Sequence, residues 1–197
     1  MADVIELDDR IAGREPDGVV TEVGGGLFEV RYERHIKRPV EKVWAAITEP
    51  VRIEAWLAQA KLDLRIGGSI ELYWPVPGDG MRSRIVELDP PHLFAFGWPE
   101  PDGAPDSIVR FELSEEAGGC RLVLTNTLLR TEFVLSVATG WHTHLDQLPA
   151  AAASDDPQPL RIEAWNASRA ADPGLIDRYR AELPREAGEV EIQLYAS

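Results

Sequence analysis

The segment from Thr131 to Ala153 constrains the fold most, because it is the longest stretch of the chain compatible with a single helix. Its apolar residues recur at steps of three and four, so they share one helix face. They are Val134, Val137, Ala138, Trp141, Leu145 and Leu148. A helix with one broad apolar face has to bury that face against a partner. The partner of sufficient size is the β-sheet that the preceding residues are predicted to form.

The residues before this helix read mainly as short strands. Between residues 27 and 36, apolar and charged residues alternate, as in a strand with one buried face. Pro39 then precedes two short helices, one at 40–47 and one ending near Trp56. The strands that follow are separated by turn residues at hairpin spacing, which predicts an antiparallel meander. Five of them are expected, at 69–74, 81–88, 93–98, 107–114 and 121–127, and residues 61–65 lead into the first.

Together these elements predict an α+β protein with a helix-grip fold. A curved antiparallel sheet of about six strands would wrap on a long C-terminal helix, with two short helices after the first strand. Residues 1–26 are acidic and end in three glycines, which predicts an N-terminal extension. The domain itself is expected at 27–153, followed by a C-terminal extension at 154–197 with one helix. Short strands at 4–7 and 190–194 are also compatible with the pattern.

Composition excludes several classes of function. The net charge of −14 and the pI near 4.7 argue against nucleic acid and anionic membranes as partners. No apolar run approaches the roughly 20 residues of a membrane span, and the N-terminus lacks a signal-peptide pattern, so we expect a cytoplasmic protein. The single cysteine, Cys120, excludes an internal disulfide. Its place at the start of a strand favours a packing role over a nucleophile.

Five motifs follow one another between residues 28 and 148. They are VWAAITEP at 43–50, Trp56, LRIGG at 64–68, ELDPPHL at 87–93 and the pair Gly140-Trp141. In this order they resemble the SRPBCC superfamily, also called START-like or Bet v 1-like. Within it they resemble the group related to the C-terminal domain of the activator of Hsp90 ATPase.

This resemblance implies a cavity between the sheet and the long helix, which in the superfamily commonly takes hydrophobic ligands. The fold alone does not define the function, because unrelated functions use the same scaffold. Genuine co-chaperones of the group carry a large additional N-terminal domain, and we do not expect the acidic segment 1–26 to supply one.

Aromatic residues and a few polar ones are expected to line this cavity. Trp44 and Trp141 suit the core, whereas other tryptophans suit the core and a pocket wall equally. Asn126 continues an apolar stripe and either satisfies backbone groups or contacts a ligand. Arg110 either binds an anionic ligand group or pairs with Glu87 or Glu112. The predicted lining residues are Trp56, Trp74, Phe96, Trp98, Arg110, Asn126, Trp141 and His144.

Neither a metal site nor a set of catalytic residues is predicted. His142 and His144 lie two positions apart on a helix, so their rings point in different directions and cannot share an ion. His144 is expected to border the cavity and His142 to face water. No G-x-S-x-G, P-loop or dinucleotide motif occurs, and no cofactor is expected.

Three hypotheses about function follow. The first is a non-enzymatic binder of a small apolar molecule, such as a lipid, a polyketide or an aromatic metabolite. The second is a cyclase- or hydrolase-like enzyme that uses His144 and a carboxylate in the same cavity. The third is an interaction module linked to Hsp90. The sequence is compatible with a homodimer but does not establish one.

Overall fold

The computed structural model describes residues 18–74, 80–100, 106–170 and 172–183. The strands expected at 4–7 and 190–194 lie outside these ranges. The strands are β1 Val19–Gly24, β2 Leu27–Ile36, β3 Gln59–Leu62, β4 Ser69–Tyr73, β5 Gly80–Asp89, β6 Leu93–Trp98, β7 Ser107–Glu116 and β8 Gly119–Arg130. The helices are α1 Val40–Thr48, α2 Pro50–Ile53, α3 Thr131–Ala153, α4 Ile162–Ala170 and α5 Leu175–Glu182.

The strands form a single antiparallel sheet in the order β1-β2-β8-β7-β6-β5-β4-β3. From β3 to β8, each strand pairs with its neighbour in the chain, as the predicted meander requires. The first long strand, β2, joins the last one, β8, through pairs that run from Leu27–Arg130 to Ile36–Cys120. The α+β class, the antiparallel sheet and the long helix after it are therefore confirmed.

The predicted number of about six strands is wrong, since the described residues contain eight. The strand β1 lies at the sheet edge with nearly all its side chains exposed, so its sequence lacks the alternation that reveals a half-buried strand. The strand β3 has only four residues, which is too short for a clear periodic signal.

The helices follow the sequence closely in the first part of the chain. Pro39 precedes α1, and Pro50 occupies the first turn of α2, where the missing N–H and fixed φ of proline are tolerated. The long helix α3 spans the residues that the apolar periodicity indicates. The helix α4 was not predicted. It follows a segment in which the Leu160 N–H donates to the Glu54 carbonyl at 2.8 Å.

The long helix packs on one side of the sheet, which we call the inner face. Tyr32, Phe111 and Leu124 are buried on this face. The Tyr32 hydroxyl donates to the Ala138 carbonyl of α3 at 2.5 Å. This buried bond joins β2 to the middle of α3 and fixes the height of the helix over the sheet.

The opposite side of the sheet, the outer face, carries charged residues in ion pairs. Arg121 donates two hydrogen bonds to the Glu33 carboxylate, at 2.6 and 2.7 Å, and Arg31 donates a third at 3.0 Å. The hydrogen bonds from Arg121 and then from Arg31 lower the pKa of Glu33 to about 2. The outer face therefore stays ionic and solvated, and the inner face provides the core.

Replacing Tyr32 with Phe should reduce the free energy of unfolding by about 1 kcal/mol, because a buried hydrogen bond is lost while the Ala138 carbonyl keeps its bond within the helix. Urea denaturation measures this cost. The control is Tyr73→Phe, since the Tyr73 hydroxyl donates to Glu71 on the exposed surface and its loss should cost far less. Equal costs for the two variants would show that the bond to α3 carries no special weight.

Glu33→Gln should destabilise the protein above pH 4.5 and lose this effect as the pH falls towards 2. The pKa of Glu33 is lowered in the folded state, so its contribution is present above the unfolded value of 4.5 and disappears through about 2. Because Glu33 is about one third exposed, solvent screening keeps the effect below about 1 kcal/mol. Urea denaturation of both proteins at a series of pH values measures it, with Glu22→Gln on exposed β1 as the control. A difference that is independent of pH would contradict the assignment.

Candidate functional site

The register of the central strands brings aromatic and polar side chains together on the inner face. Trp98 lies opposite Ser107, and Phe96 lies opposite Val109. Val109 in turn lies opposite Asn126 on β8. Residues directly opposite each other on neighbouring strands point to the same side of the sheet. These side chains therefore all project towards α3.

Three tryptophans make a continuous row, which we call the tryptophan row. The ring centroids of Trp74 and Trp98 are 5.7 Å apart, and those of Trp98 and Trp141 are 5.8 Å apart. Trp74 and Trp98 are half-buried, whereas Trp141 on α3 is buried. The row thus leads from the surface near the end of β4 to the interior beneath α3.

His144 lies one helical turn beyond Trp141 and is buried among rings. Its Nδ1 is 2.8 Å from the carbonyl oxygen of Trp56. A carbonyl only accepts, so Nδ1 carries a proton and is the donor in this bond. The ring also stacks on Trp165 of α4, with centroids 4.1 Å apart and planes at 19°.

The indole N–H groups in the buried part of the site have internal partners. Trp56 Nε1 donates to the Ala46 carbonyl at 2.9 Å, and Trp141 Nε1 donates to Asn126 Oδ1 at 3.0 Å. The Asn126 amide group donates to the Ile108 carbonyl at 3.3 Å. The two tryptophans therefore present ring surface to the site, because their N–H groups are already hydrogen-bonded within the protein.

Seven of the eight predicted lining residues lie together on the inner face or on the elements that cover it. They are Trp56, Trp74, Phe96, Trp98, Asn126, Trp141 and His144. Arg110 is not brought together with them. It forms ion pairs with Glu87 and Glu112, which was the alternative to binding an anionic ligand group. With Arg31 and Arg121 it borders an open depression of about 350 Å³ on the outer face.

The expectation that His142 faces water is wrong, because its side chain is only 2% exposed. Its Nδ1 is 3.0 Å from the Tyr179 hydroxyl of α5, and its Nε2 is 3.6 Å from Asp146. The Tyr179 hydroxyl also accepts from the Gly18 N–H at 2.6 Å. The helix α5 therefore covers the face of α3 that carries His142, which lies outside the apolar stripe of α3.

Trp165 is the site residue that the sequence did not reveal. It lies in α4, within a segment assigned to the C-terminal extension, and it stacks on His144. A single tryptophan in an otherwise polar stretch after the prolines at 157 and 159 is the signal that points to a docked helix. Tryptophan buries a large area when it is packed.

Cys120 lies apart from this site, at the start of β8. Burial is the largest cause that raises the pKa of its thiol, to about 11. The thiol is therefore protonated at neutral pH, and the thiolate needed for nucleophilic attack is scarce. The structure agrees with the packing role that its position predicts.

The Asn126–Trp141 bond should be measurable as a coupling energy. Asn126→Leu leaves the buried indole N–H without an acceptor and should cost about 1–3 kcal/mol. In the double variant with Trp141→Phe, the combined cost should be smaller than the sum of the single costs by at least about 0.5 kcal/mol. Urea denaturation measures the free energy of unfolding of each single variant and of the double variant. The matched control combines Asn126→Leu with Trp56→Phe, whose indole bonds Ala46 instead, and these costs should add.

The comparisons with known proteins agree with this architecture. The family model for activator of Hsp90 ATPase homolog 1-like proteins matches residues 37–153. No protein with a curated description has detectable sequence similarity. No helix within the described ranges is long and apolar enough to cross a membrane.

Three solved structures show the same fold. CalU16 from Micromonospora echinospora is 26% identical with a TM-score of 0.59, covering 82% of this chain and 98% of its own. The protein encoded by gene BPP1335 from Bordetella parapertussis is 30% identical with a TM-score of 0.58, covering 84% and 93%. DynU16, from the dynemicin biosynthetic locus, is 21% identical with a TM-score of 0.59, covering 67% and 49%. Since the family model also spans more than half of the chain, this protein belongs to the activator of Hsp90 ATPase homolog 1-like family within the SRPBCC superfamily.

Proposed function

We propose that this protein binds a small apolar molecule containing rings, held between α3 and the inner face of the sheet. The observation that carries the proposal is the tryptophan row, whose outer members Trp74 and Trp98 are half-buried while Trp141 is buried. A row of this kind offers a ligand a continuous path of ring surface from solvent to the interior. Proteins of this fold commonly bind small hydrophobic ligands.

The chemistry of the lining favours an apolar ligand over a strongly polar one. The polar side-chain atoms in the buried part of the site already form hydrogen bonds. Trp141 bonds to Asn126, while Trp56 and Asn126 each bond to a backbone carbonyl. A charged ligand placed there would lose its water without gaining bonds from these groups, which is costly. A ring system gains instead from offset and edge-to-face contacts, each worth about 0.5–1.5 kcal/mol beyond the area buried.

The proposed binding unit is the segment 27–153, with Trp165 of the C-terminal extension closing against His144. A lipid tail, a polyketide and an aromatic metabolite all share the apolar character that the row selects. The rings favour the aromatic members of this set. DynU16, with the same fold, comes from a biosynthetic locus, which suits a ligand of the kind made in such loci.

A cyclase- or hydrolase-like activity in the same site is the second candidate, favoured by the orientation of His144. The Trp56 carbonyl accepts from Nδ1 and fixes the direction of the ring, and histidine is the side chain most often used in acid–base catalysis. The variant His144→Gln separates the two functions. Turnover of a substrate that is lost in this variant supports the enzyme, and turnover that survives the substitution contradicts it.

Trp98→Leu should weaken the binding of 2-methylnaphthalene by about tenfold, because an aromatic contact and part of its apolar area are lost. Titration followed by the quenching of tryptophan fluorescence measures the affinity. The matched control is Trp44→Leu, since Trp44 is also half-buried but contacts Phe94 outside the row. Equal losses in both variants, or the absence of binding to the unaltered protein, would contradict the proposed function.

A further inference from the structure

Ser107, the first residue of β7, has a polar atom that the fold itself does not use. Its side chain is 0% exposed, and its Oγ has no hydrogen-bond partner. Buried hydroxyl groups in native proteins are nearly always paired, because an unpaired one destabilises the folded state. An exception next to a candidate binding site is a candidate contact for a ligand.

The register places this hydroxyl at the tryptophan row. Ser107 lies directly opposite Trp98 in the β6–β7 ladder, so both side chains point to the inner face. Two residues further along β7, Val109 lies opposite Asn126, whose amide holds the Trp141 indole. The Oγ of Ser107 therefore belongs to the same end of the inner face as the contact between Trp98 and Trp141.

Glu100 supplies a second polar group at this end of the sheet, two residues after β6. Burial raises the pKa of its carboxyl group, and a favourable interaction with the Ser107 side chain partly offsets this rise. The Glu100 carboxyl group and the Ser107 side chain are therefore close enough to interact, although Ser107 Oγ has no partner within hydrogen-bonding geometry. A partly desolvated carboxyl group and a buried hydroxyl group thus lie next to each other at this end of the sheet.

The backbone near this end is also irregular. Leu128 has a positive φ of 61°, and the β2–β8 register shifts between Phe28 and Val30. A side chain with Cβ rarely adopts this conformation, and bulges of this type occur next to binding sites, where they redirect a strand. On β8 the shift follows Asn126, the residue that accepts from the Trp141 indole.

We propose that Ser107 and Glu100 bind a hydroxyl group on the ring ligand, so that the ligand is a phenol or a similar hydroxylated ring compound. The Ser107 hydroxyl donates to the ligand oxygen, and the ligand O–H donates to the Glu100 carboxylate. This inference rests on the proposed function and narrows its ligand class. Because Ser107 is fully covered without ligand, a neighbour has to move, and the half-buried Trp98 ring directly opposite is in position to do so.

A matched pair of probes tests the inference. 2-Naphthol carries the hydroxyl, and 2-methylnaphthalene has a methyl group of similar size in its place. The unaltered protein should bind 2-naphthol about tenfold more tightly, as a bond to a charged acceptor predicts. Ser107→Ala and Glu100→Ala should each reduce this preference to about twofold or less and leave the affinity for 2-methylnaphthalene unchanged. The controls are Ser114→Ala and Glu115→Ala, which alter exposed residues near the other end of β7 and should keep the preference.

The stability of the ligand-free protein gives an independent measurement. Ser107→Ala removes an unpaired buried hydroxyl, so it should raise the midpoint of thermal unfolding by about 2–4 °C while it weakens 2-naphthol binding. A lower midpoint would show that the hydroxyl serves packing, and this would overturn the inference.

The outcomes separate the two proposals. If both probes bind equally and Trp98→Leu weakens both, the hydroxyl site is wrong and the proposed function stands. If neither probe binds the unaltered protein, both proposals fail. If 2-naphthol is preferred and the preference survives Ser107→Ala, Ser107 is not the residue that reads the hydroxyl, and the inference fails.

Discussion

The rest of the structure depends on how α3 is held against the sheet. Two buried hydrogen bonds fix it, one from Tyr32 to the Ala138 carbonyl and one from Trp141 to Asn126. They join the helix to β2 and to β8, so they set both its height and its rotation. Apolar burial is non-directional and would tolerate other rotations, whereas these bonds do not. The positions of Trp141 and His144 in the site therefore follow from two polar contacts within an apolar core.

The two sides of the sheet differ in chemistry, with ion pairs on the outer face and aromatic rings on the inner face. Glu33, Arg121 and Arg110 are all ion-paired on the outer face, where water screens a chain of net charge −14. The inner face carries rings whose polar atoms are satisfied internally. The proposed ligand would therefore meet the ring surface of the tryptophan row, on the side of the sheet away from these ion pairs.

The sequence predicts the elements whose signals are local. Apolar spacing gives the bounds of α3, and strand alternation places Asn126 on the inner face and Arg110 on the side opposite Phe111. The sequence does not reveal contacts that join distant segments. His142 is buried because α5 docks on α3, and the Tyr179 hydroxyl in this contact also binds Gly18, 161 residues away. Trp165 reaches His144 for a similar reason, since α4 is tied to the Glu54 carbonyl through Leu160. The spacing of Leu175, Tyr179 and Leu183 predicts a helix with one buried face, but it does not indicate that this face meets α3.

The contrast between Asn126 and Ser107 separates structure from function within one face of the sheet. Both are buried polar residues in neighbouring strands, and each would normally need a hydrogen-bond partner inside the protein. Asn126 uses both the oxygen and the nitrogen of its amide, with one bond to Trp141 and one to the Ile108 carbonyl. Ser107 leaves its hydroxyl unpaired, although alanine would fill nearly the same space without the cost of burying a polar atom. A residue that costs stability and contributes no internal bond is best explained by what it binds, since proteins commonly lose some stability where a site has to stay ready for a ligand.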